Sequence, residues 1–235
     1  MTWLTEDWVE GNPLSSNFSD RPDGEEIDAI VLHYTAGGHY IDSSWTWFND
    51  PAAQGSAHFI VGREGQIVQC VPISKKAWHA GRSHMMRNAE LVADVNKFSI
   101  GIEIANFGLL IKDGDEFYVE RGRRLKRYKR EKYGEPIYGK LIFDDGKTVE
   151  GYWEPYGDAQ RQAVVKLCAL LVKEFNIVPE RIVGHEDIAM PLGRKTDPGP
   201  VWPWVLFGEE LAEELGGYMW VADLDAPHGR TRNGS

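Results

Sequence analysis

Seven histidines occur in this chain of 235 residues, and two stand where a fold could use them for chemistry. His33 lies near the end of the run 28–34 (DAIVLHY), and His185 closes 181–185 (RIVGH). An imidazole can bind a metal or move a proton near neutral pH, although a single histidine at the end of a buried strand is more often a hydrogen-bonded core residue. The surroundings of His185 shift that balance, because Asp197 follows twelve positions later in a loop stiffened by Pro198 and Pro200. Two imidazoles and one carboxylate suit a catalytic zinc ion with its fourth position open. His33 is so far upstream that spacing alone leaves the assignment open.

These residues need elements to position them. The almost continuously apolar run 28–34 predicts a central strand buried on both faces, with His33 near the C-terminal end where α/β folds place their sites. Residues 41–50 (IDSSWTWFND) predict a short helix capped by Asp42 or Ser43 and ended by Pro51. The stretch 57–72 divides at Glu64-Gly65 into a hairpin. In 99–106, Ile100, Ile102 and Ile104 share one face of a strand, and Gly101, Glu103 and Ala105 the other. From Asp158, read as a cap, Val164, Leu167, Cys168, Leu171 and Phe175 recur at helical spacing. A short strand over 181–185 and a helix over 203–215 follow, and the tail 226–235 predicts disorder.

The region 107–157 fits this scheme least well. It holds Gly-Asp turns, a basic run and a hairpin with strands near 140–143 and 148–153, and it reads as an insertion between a core strand and a core helix. The expected architecture is α/β: a central mixed β-sheet flanked by helices, with the metal at one sheet edge. Its parts are an extension (1–27), one domain (28–215) carrying the insertion with its basic hairpin region, and a partly disordered tail (216–235).

Hydrophobic residues at 42% and charged residues at 26% exclude a disordered, collagenous or membrane-embedded chain. The net charge of -10 argues against a dedicated binder of nucleic acid. That average hides the run 121–132 (RGRRLKRYKREK), whose eight basic residues and one acid give +7, so the remainder carries -17. Cys70 and Cys168 lack paired spacing and read as buried thiols. The N-terminal residues have acidic flanks and no apolar segment, which predicts neither secretory signal nor anchor. Synthesis in the cytoplasm is therefore expected, although the place of action need not be the same.

Five blocks in order, IVLHYTAG, SAHFIVGREGQIVQCVP, AWHAGRS, SIGIEIAN and GHEDIAMPLGRKTDPGP, resemble the type 2 N-acetylmuramoyl-L-alanine amidase family. That family includes the AmpD-like muropeptide amidases, phage lysozymes of amidase type and peptidoglycan recognition proteins. The resemblance covers 28–106 and 158–204. It implies a zinc-dependent hydrolase cutting the amide between N-acetylmuramic acid and L-alanine, with one zinc ion on His33, His185 and Asp197. It also implies catalytic roles for Glu103 and Lys195.

The chemistry of those positions agrees with the implied roles. A carboxylate alternating with isoleucines in a buried strand is costly unless it faces a polar site, and Gly101 and Ala105 beside Glu103 leave room for a substrate backbone. A raised pKa would suit a general base acting on the attacking water, and Lys195 would stabilise the oxyanion. The competing reading is a structural ion pair between the two. His79, with Trp78 and Ala80, is expected to contact the muramoyl peptide, and Asn106 is grouped with them. His58 reads as a core residue, and His39, His84 and His228 as exposed loop residues. Glu186 and Asp187 are expected to organise the loop rather than bind metal. Trp153 and Tyr156 are expected to wall the cleft.

Every catalytic position is filled, which favours an enzyme over a non-catalytic peptidoglycan-binding or partner-binding module. The length and charge of the insertion favour a wall-lysing, endolysin-like enzyme. The alternative is a cytoplasmic amidase that recycles anhydro-muropeptides. Expected partners are peptidoglycan or muropeptide and, through 121–132, an anionic cell-envelope surface. Neither nucleic-acid binding nor integral membrane insertion is expected.

Overall fold

The structure, a computed structural model, describes residues 4, 6, 9–11, 15–37, 41–121, 124–217 and 232–233. Two short strands, β1 (Val9–Gly11) and β2 (Phe18–Asp20), precede β3 (Ala29–Tyr34) and helix α1 (Ile41–Asn49). Strands β4 (Phe59–Val61) and β5 (Ile67–Gln69) form the hairpin around Glu64-Gly65, and β6 (Lys75–Ala77), β7 (His84–Arg87), β8 (Glu90–Ala93) and β9 (Ser99–Ile104) follow. The region 107–157, expected as an insertion, holds β10 (Leu109–Asp113), β11 (Glu116–Arg121), β12 (Arg124–Arg127), the one-turn helix α2 (Arg130–Tyr133), β13 (Ile137–Ile142) and β14 (Thr148–Trp153). Last come α3 (Asp158–Phe175), β15 (Ile182–Gly184), the one-turn α4 (His185–Ile188), α5 (Trp204–Glu214) and β16 (Arg232–Asn233).

The main sheet is mixed, in the order β1-β5-β4-β9-β3-β15, with only the β4–β5 pair antiparallel. One face carries Ile30 and Leu32 of β3 and Ile100, Ile102 and Ile104 of β9, packed on Val164, Leu167, Cys168 and Leu171 of α3 and Phe207 and Leu211 of α5. Burying each such aliphatic side chain stabilises the fold by about 1.5–3 kcal/mol, so this face fastens the helices to the sheet. On the opposite face Ala29 and Val31 meet Ala80, Met85, Phe98 and Ile188, while Phe48 of α1 covers Ile60 and Val68. His33 and Glu103 continue the rows of that second face, so strand alternation takes them away from the aliphatic layer.

Several boundaries differ from expectation for local reasons. Helix α1 begins at Ile41, which puts Asp42 and Ser43 in its first turn rather than at the cap, where Asp42 still faces the positive end of the helix dipole. Gly157 caps α3 and Asp158 is its first residue, because the Gln160 side chain already accepts from the Gly157 N–H at 3.3 Å. The strand over 181–185 stops at Gly184, and His185 opens α4.

The insertion is more than one hairpin. Its five strands join β16 in an antiparallel sheet of order β12-β11-β10-β14-β13-β16, so the described part of the tail is an edge strand rather than disordered. Leu110, Phe117, Val119 and Tyr128 give this sheet a core of its own, while Leu141, Phe143 and Trp153 pack beside Tyr34 and Val201 at the end of β3. The basic run spans the end of β11, all of β12 and the first three residues of α2, and β12 is an exposed edge strand. Both cysteines are buried and unpaired. Among the described residues no helix is long and apolar enough to cross a membrane.

Candidate active site and metal centre

Three parallel strands bring the site together at their C-terminal ends. His33 on β3 and Glu103 on β9 are in register across the strand pair. Next to β3 on its other side, β15 ends and its chain continues directly into His185. Asp197 arrives on the following loop, which is tied back by the Glu186 N–H donating to the Asp197 carbonyl at 2.9 Å. The carboxylate of Asp187, in the first turn of α4, accepts from the Gly184 N–H at 2.7 Å and so organises the start of that turn. The site therefore spans an interior strand and the sheet edge, rather than the edge alone.

Within it, His33 Nδ1 lies 3.0 Å from His185 Nδ1, and Asp197 Oδ2 lies 2.9 Å from each. All three residues are buried. Burial alone would raise the Asp197 carboxyl, yet the neighbouring imidazoles outweigh it and hold the group well below the usual carboxylate range. Burial and the nearby His185 together lower His33 to about 4. The donor set fits zinc: ligands about 2.0 Å from a tetrahedral ion stand about 3.3 Å apart, close to the sides of this triangle. His185 Nε2 is 3.1 Å from the Ala80 carbonyl, and His33 Nε2 is 3.0 Å from His79 Nδ1, so the remote nitrogen of each ring is held by the protein.

Glu103 Oε2 is sealed from solvent and meets no hydrogen-bond donor. Burial, reinforced by the Asp197 charge and opposed by Lys195, pushes its carboxyl well above the usual range. The cleft above these groups has a volume of about 700 Å³ and is walled in part by Trp47, Gln54, Trp78, Arg194, Lys195 and Thr196. Arg194 braces one wall by donating to the carbonyls of Met190 at 3.0 Å and Arg82 at 2.8 Å. Tyr34 Oη meets Thr196 Oγ1 at 2.8 Å, fixing the residue just before Asp197.

The remaining expected positions divide. Trp78 and His79 line the cleft. The His79 ring also lies behind His33, where it fills the space beside Gly101: a Cβ there would stand 2.4 Å from His79 Cγ. That gap holds an imidazole, not a substrate backbone. Ala80 is buried and contributes its carbonyl to His185. Asn106 is also buried, with its amide directed at the carbonyls of Glu154 and Pro155 and its Oδ1 accepting from the Gly108 N–H at 2.7 Å; it ties the insertion to β9. Trp153 is sealed beside Leu141, Phe143 and Tyr34, between the second sheet and the end of β3, and Tyr156 stacks edge-on against Trp202 with its hydroxyl on the Pro198 carbonyl, so neither walls the cleft. His58 is a core residue, accepting from the Gly101 N–H and bonded to the Lys75 carbonyl, both at 3.0 Å. His84 is on a strand and partly buried, whereas His39 and His228 lie outside the described residues.

Sequence reasoning missed Trp47. Ile41, Ser44, Trp45 and Phe48 mark the packed side of α1, so a large aromatic off that stripe was the available signal. It also missed Ser99, whose hydroxyl stands 3.1 Å from His79 Nε2.

A mixed sheet delivering a buried His-His-Asp set that could hold a metal ion, beside a carboxylate whose Oε2 meets no hydrogen-bond donor, is an arrangement suited to metal-assisted hydrolysis. The profile of the N-acetylmuramoyl-L-alanine amidases matches residues 23–200, and the chain belongs to that family of amidases. It is 28% identical to the 1,6-anhydro-N-acetylmuramyl-L-alanine amidase AmpD of Escherichia coli (strain K12), over 90% of this chain and 98% of that protein. Identity to the enzyme of the same name from Enterobacter cloacae is 30%, over 87% of this chain and 90% of that one. Among solved structures, a crystal structure of an AmpD derivative covers 88% of this chain and 96% of its own, at 28% identity and a TM-score of 0.57. Escherichia coli AmiD, in complex with the substrate anhydro-N-acetylmuramic acid-L-Ala-D-gamma-Glu-L-Lys, matches at 27% identity and a TM-score of 0.56, over 83% of this chain and 65% of that one.

Proposed function

We propose that this amidase hydrolyses the amide between the lactyl group of an anhydro-N-acetylmuramyl residue and L-alanine in soluble muropeptides. The observation that carries the reaction is the convergence of His33, His185, Asp197, Glu103 and Lys195 on one cleft. The soluble anhydro substrate is supported by the names of the AmpD relatives and by the near-complete coverage of their length. That support favours the recycling role over the wall-lysing one that the insertion suggested.

His33, His185 and Asp197 would hold a zinc ion, which when bound supplies Lewis acidity at the scissile carbonyl. The raised affinity of Glu103 for a proton lets its carboxylate take one from the attacking water and deliver it to the departing alanine nitrogen. Lys195, on the cleft wall, offers its ammonium to the oxyanion that forms as water adds to the carbonyl. The products are the lactyl carboxylate and a free stem peptide.

Mass spectrometry of products separates the two roles. Anhydro-N-acetylmuramyl tripeptide should be split into sugar and peptide, while purified sacculi should release no stem peptide. Efficient release from intact sacculi would restore the wall-lysing reading.

A further inference from the structure

Both imidazoles of the metal set must present an unprotonated Nδ1 to the same point, and their tautomers are set by unequal lengths of hydrogen-bond chain. For His185 one step suffices. The Ala80 carbonyl, 3.1 Å away, can only accept, so His185 Nε2 carries the hydrogen and Nδ1 carries the lone pair. For His33 the nearest backbone carbonyl in the chain is three bonds away. Ser99 donates its hydroxyl to the Val95 carbonyl at 2.7 Å, leaving an Oγ lone pair for His79 Nε2–H at 3.1 Å. A neutral imidazole has one donor and one acceptor, so His79 Nδ1 then accepts from His33 Nε2–H at 3.0 Å. His33 Nδ1 is left bare, facing His185 and Asp197.

We infer that His79 and Ser99 are positioning residues that lock the metal-binding tautomer of His33, with the turn 95–97 as their anchor. Three features of the fold serve this arrangement. Gly101 leaves the slot in which the His79 ring sits. Asn96 Oδ1 accepts from the N–H groups of His79 at 3.1 Å and Ala80 at 2.8 Å, so one side chain steadies the segment that orients both ligands. Ser99, Gly101 and Glu103 alternate along one face of β9, in register with Ala29, Val31 and His33. A single strand face thus anchors the relay, houses it and places the carboxylate beside the ligand.

The inference rests on the metal reading of His33, His185 and Asp197, not on the identity of the substrate. Zinc affinity measured by chelator competition on the full chain tests it, alongside thermal unfolding as a check on folding. His79→Leu should weaken zinc binding by about 10- to 100-fold. His79→Asn, whose Oδ1 can stand where Nδ1 stood, should recover most of that loss, and Ser99→Ala should show an intermediate one. Imidazole nitrogen resonances of zinc-loaded protein should report His79 protonated at Nε2. Wild-type affinity in both His79→Leu and Ser99→Ala, or a His79 protonated at Nδ1, would overturn the relay. Equal losses in His79→Leu and His79→Asn would do so too, by reducing His79 to a space-filler. Failure of the wild type to bind zinc would instead overturn the metal reading on which the relay stands.

Discussion

His33 and Glu103 sit side by side in register on β3 and β9, on the sheet face that points away from α3 and α5. In the proposed reaction one strand pair would therefore position both a metal ligand and the carboxylate acting next to it, and the two proposed jobs are separable by mutation. Glu103→Gln should retain zinc stoichiometry and lower kcat by about 10²- to 10⁴-fold, the range expected for a lost general base. His33→Ala should lose zinc and activity together. Metal content by elemental analysis, paired with turnover of a muropeptide, checks both; a Glu103→Gln enzyme at wild-type rate would remove Glu103 from the chemistry.

Lys195 stands on the cleft wall two residues before Asp197. A charge that meets the oxyanion acts on the transition state more than on the bound substrate. Lys195→Ala should therefore reduce kcat by about 10²-fold while KM changes little. Steady-state kinetics decide the matter, and a change confined to KM would recast Lys195 as a substrate-binding group.

Trp47 is 53% exposed although its indole lies in the cleft. Its ring packs against Gly55, where a Cβ would stand 2.9 Å from Trp47 Cη2, so the absence of a side chain at 55 leaves room for the indole. Aromatic faces bind the apolar faces of pyranose rings. Trp47→Ala should raise KM several-fold for a sugar-bearing muropeptide and leave kcat nearly unchanged, and Trp47→Phe should retain most of the affinity. A lactyl peptide without the sugar should be insensitive to either change; equal sensitivity would assign Trp47 to the peptide instead.

What the sequence revealed and what it concealed follow from how far each signal reaches. His33, His185 and Asp197 stand out locally as polar groups at buried strand ends and an acid in a proline-stiffened loop, but spacing alone leaves their grouping open, and it is the family resemblance that joins them and points to Glu103, a carboxylate among isoleucines. The placement of the His79 ring was not legible, because it depends on a loop from 78–80 crossing behind β3 and on the empty Cβ position at Gly101, and periodicity carries no information on either. Strand β12 escaped for a different reason. Its residues RLKR are all exposed, so this edge strand lacks the apolar alternation by which strands are read, and its charge protects the open edge. Trp153 was misplaced because an aromatic residue type does not say whether it faces a cleft or the core between two sheets.

His58 offers a test of the fold's response to acid. Burial first, and the Arg21 guanidinium 3.1 Å from Nε2 second, lower its pKa to about 3, against 6.5 for an unhindered imidazole. Above about pH 6.5 the ring is neutral whether the chain is folded or not, and it contributes no pH dependence. Between 6.5 and about 3 the unfolded chain binds a proton that the folded chain refuses, so stability falls as pH falls, by about 1.4 kcal/mol per pH unit for this one group. His58→Asn keeps an acceptor for the Gly101 N–H but does not titrate. It should cost about 1–3 kcal/mol at pH 7.5 through the lost Lys75 contact, yet its stability should decline more gently on acidification. Urea unfolding of zinc-loaded wild type and variant at pH 7.5, 6 and 5 measures both effects. Parallel slopes for the two proteins would mean that the acid sensitivity arises elsewhere, and a steeper slope in the wild type by close to one proton would assign it to His58.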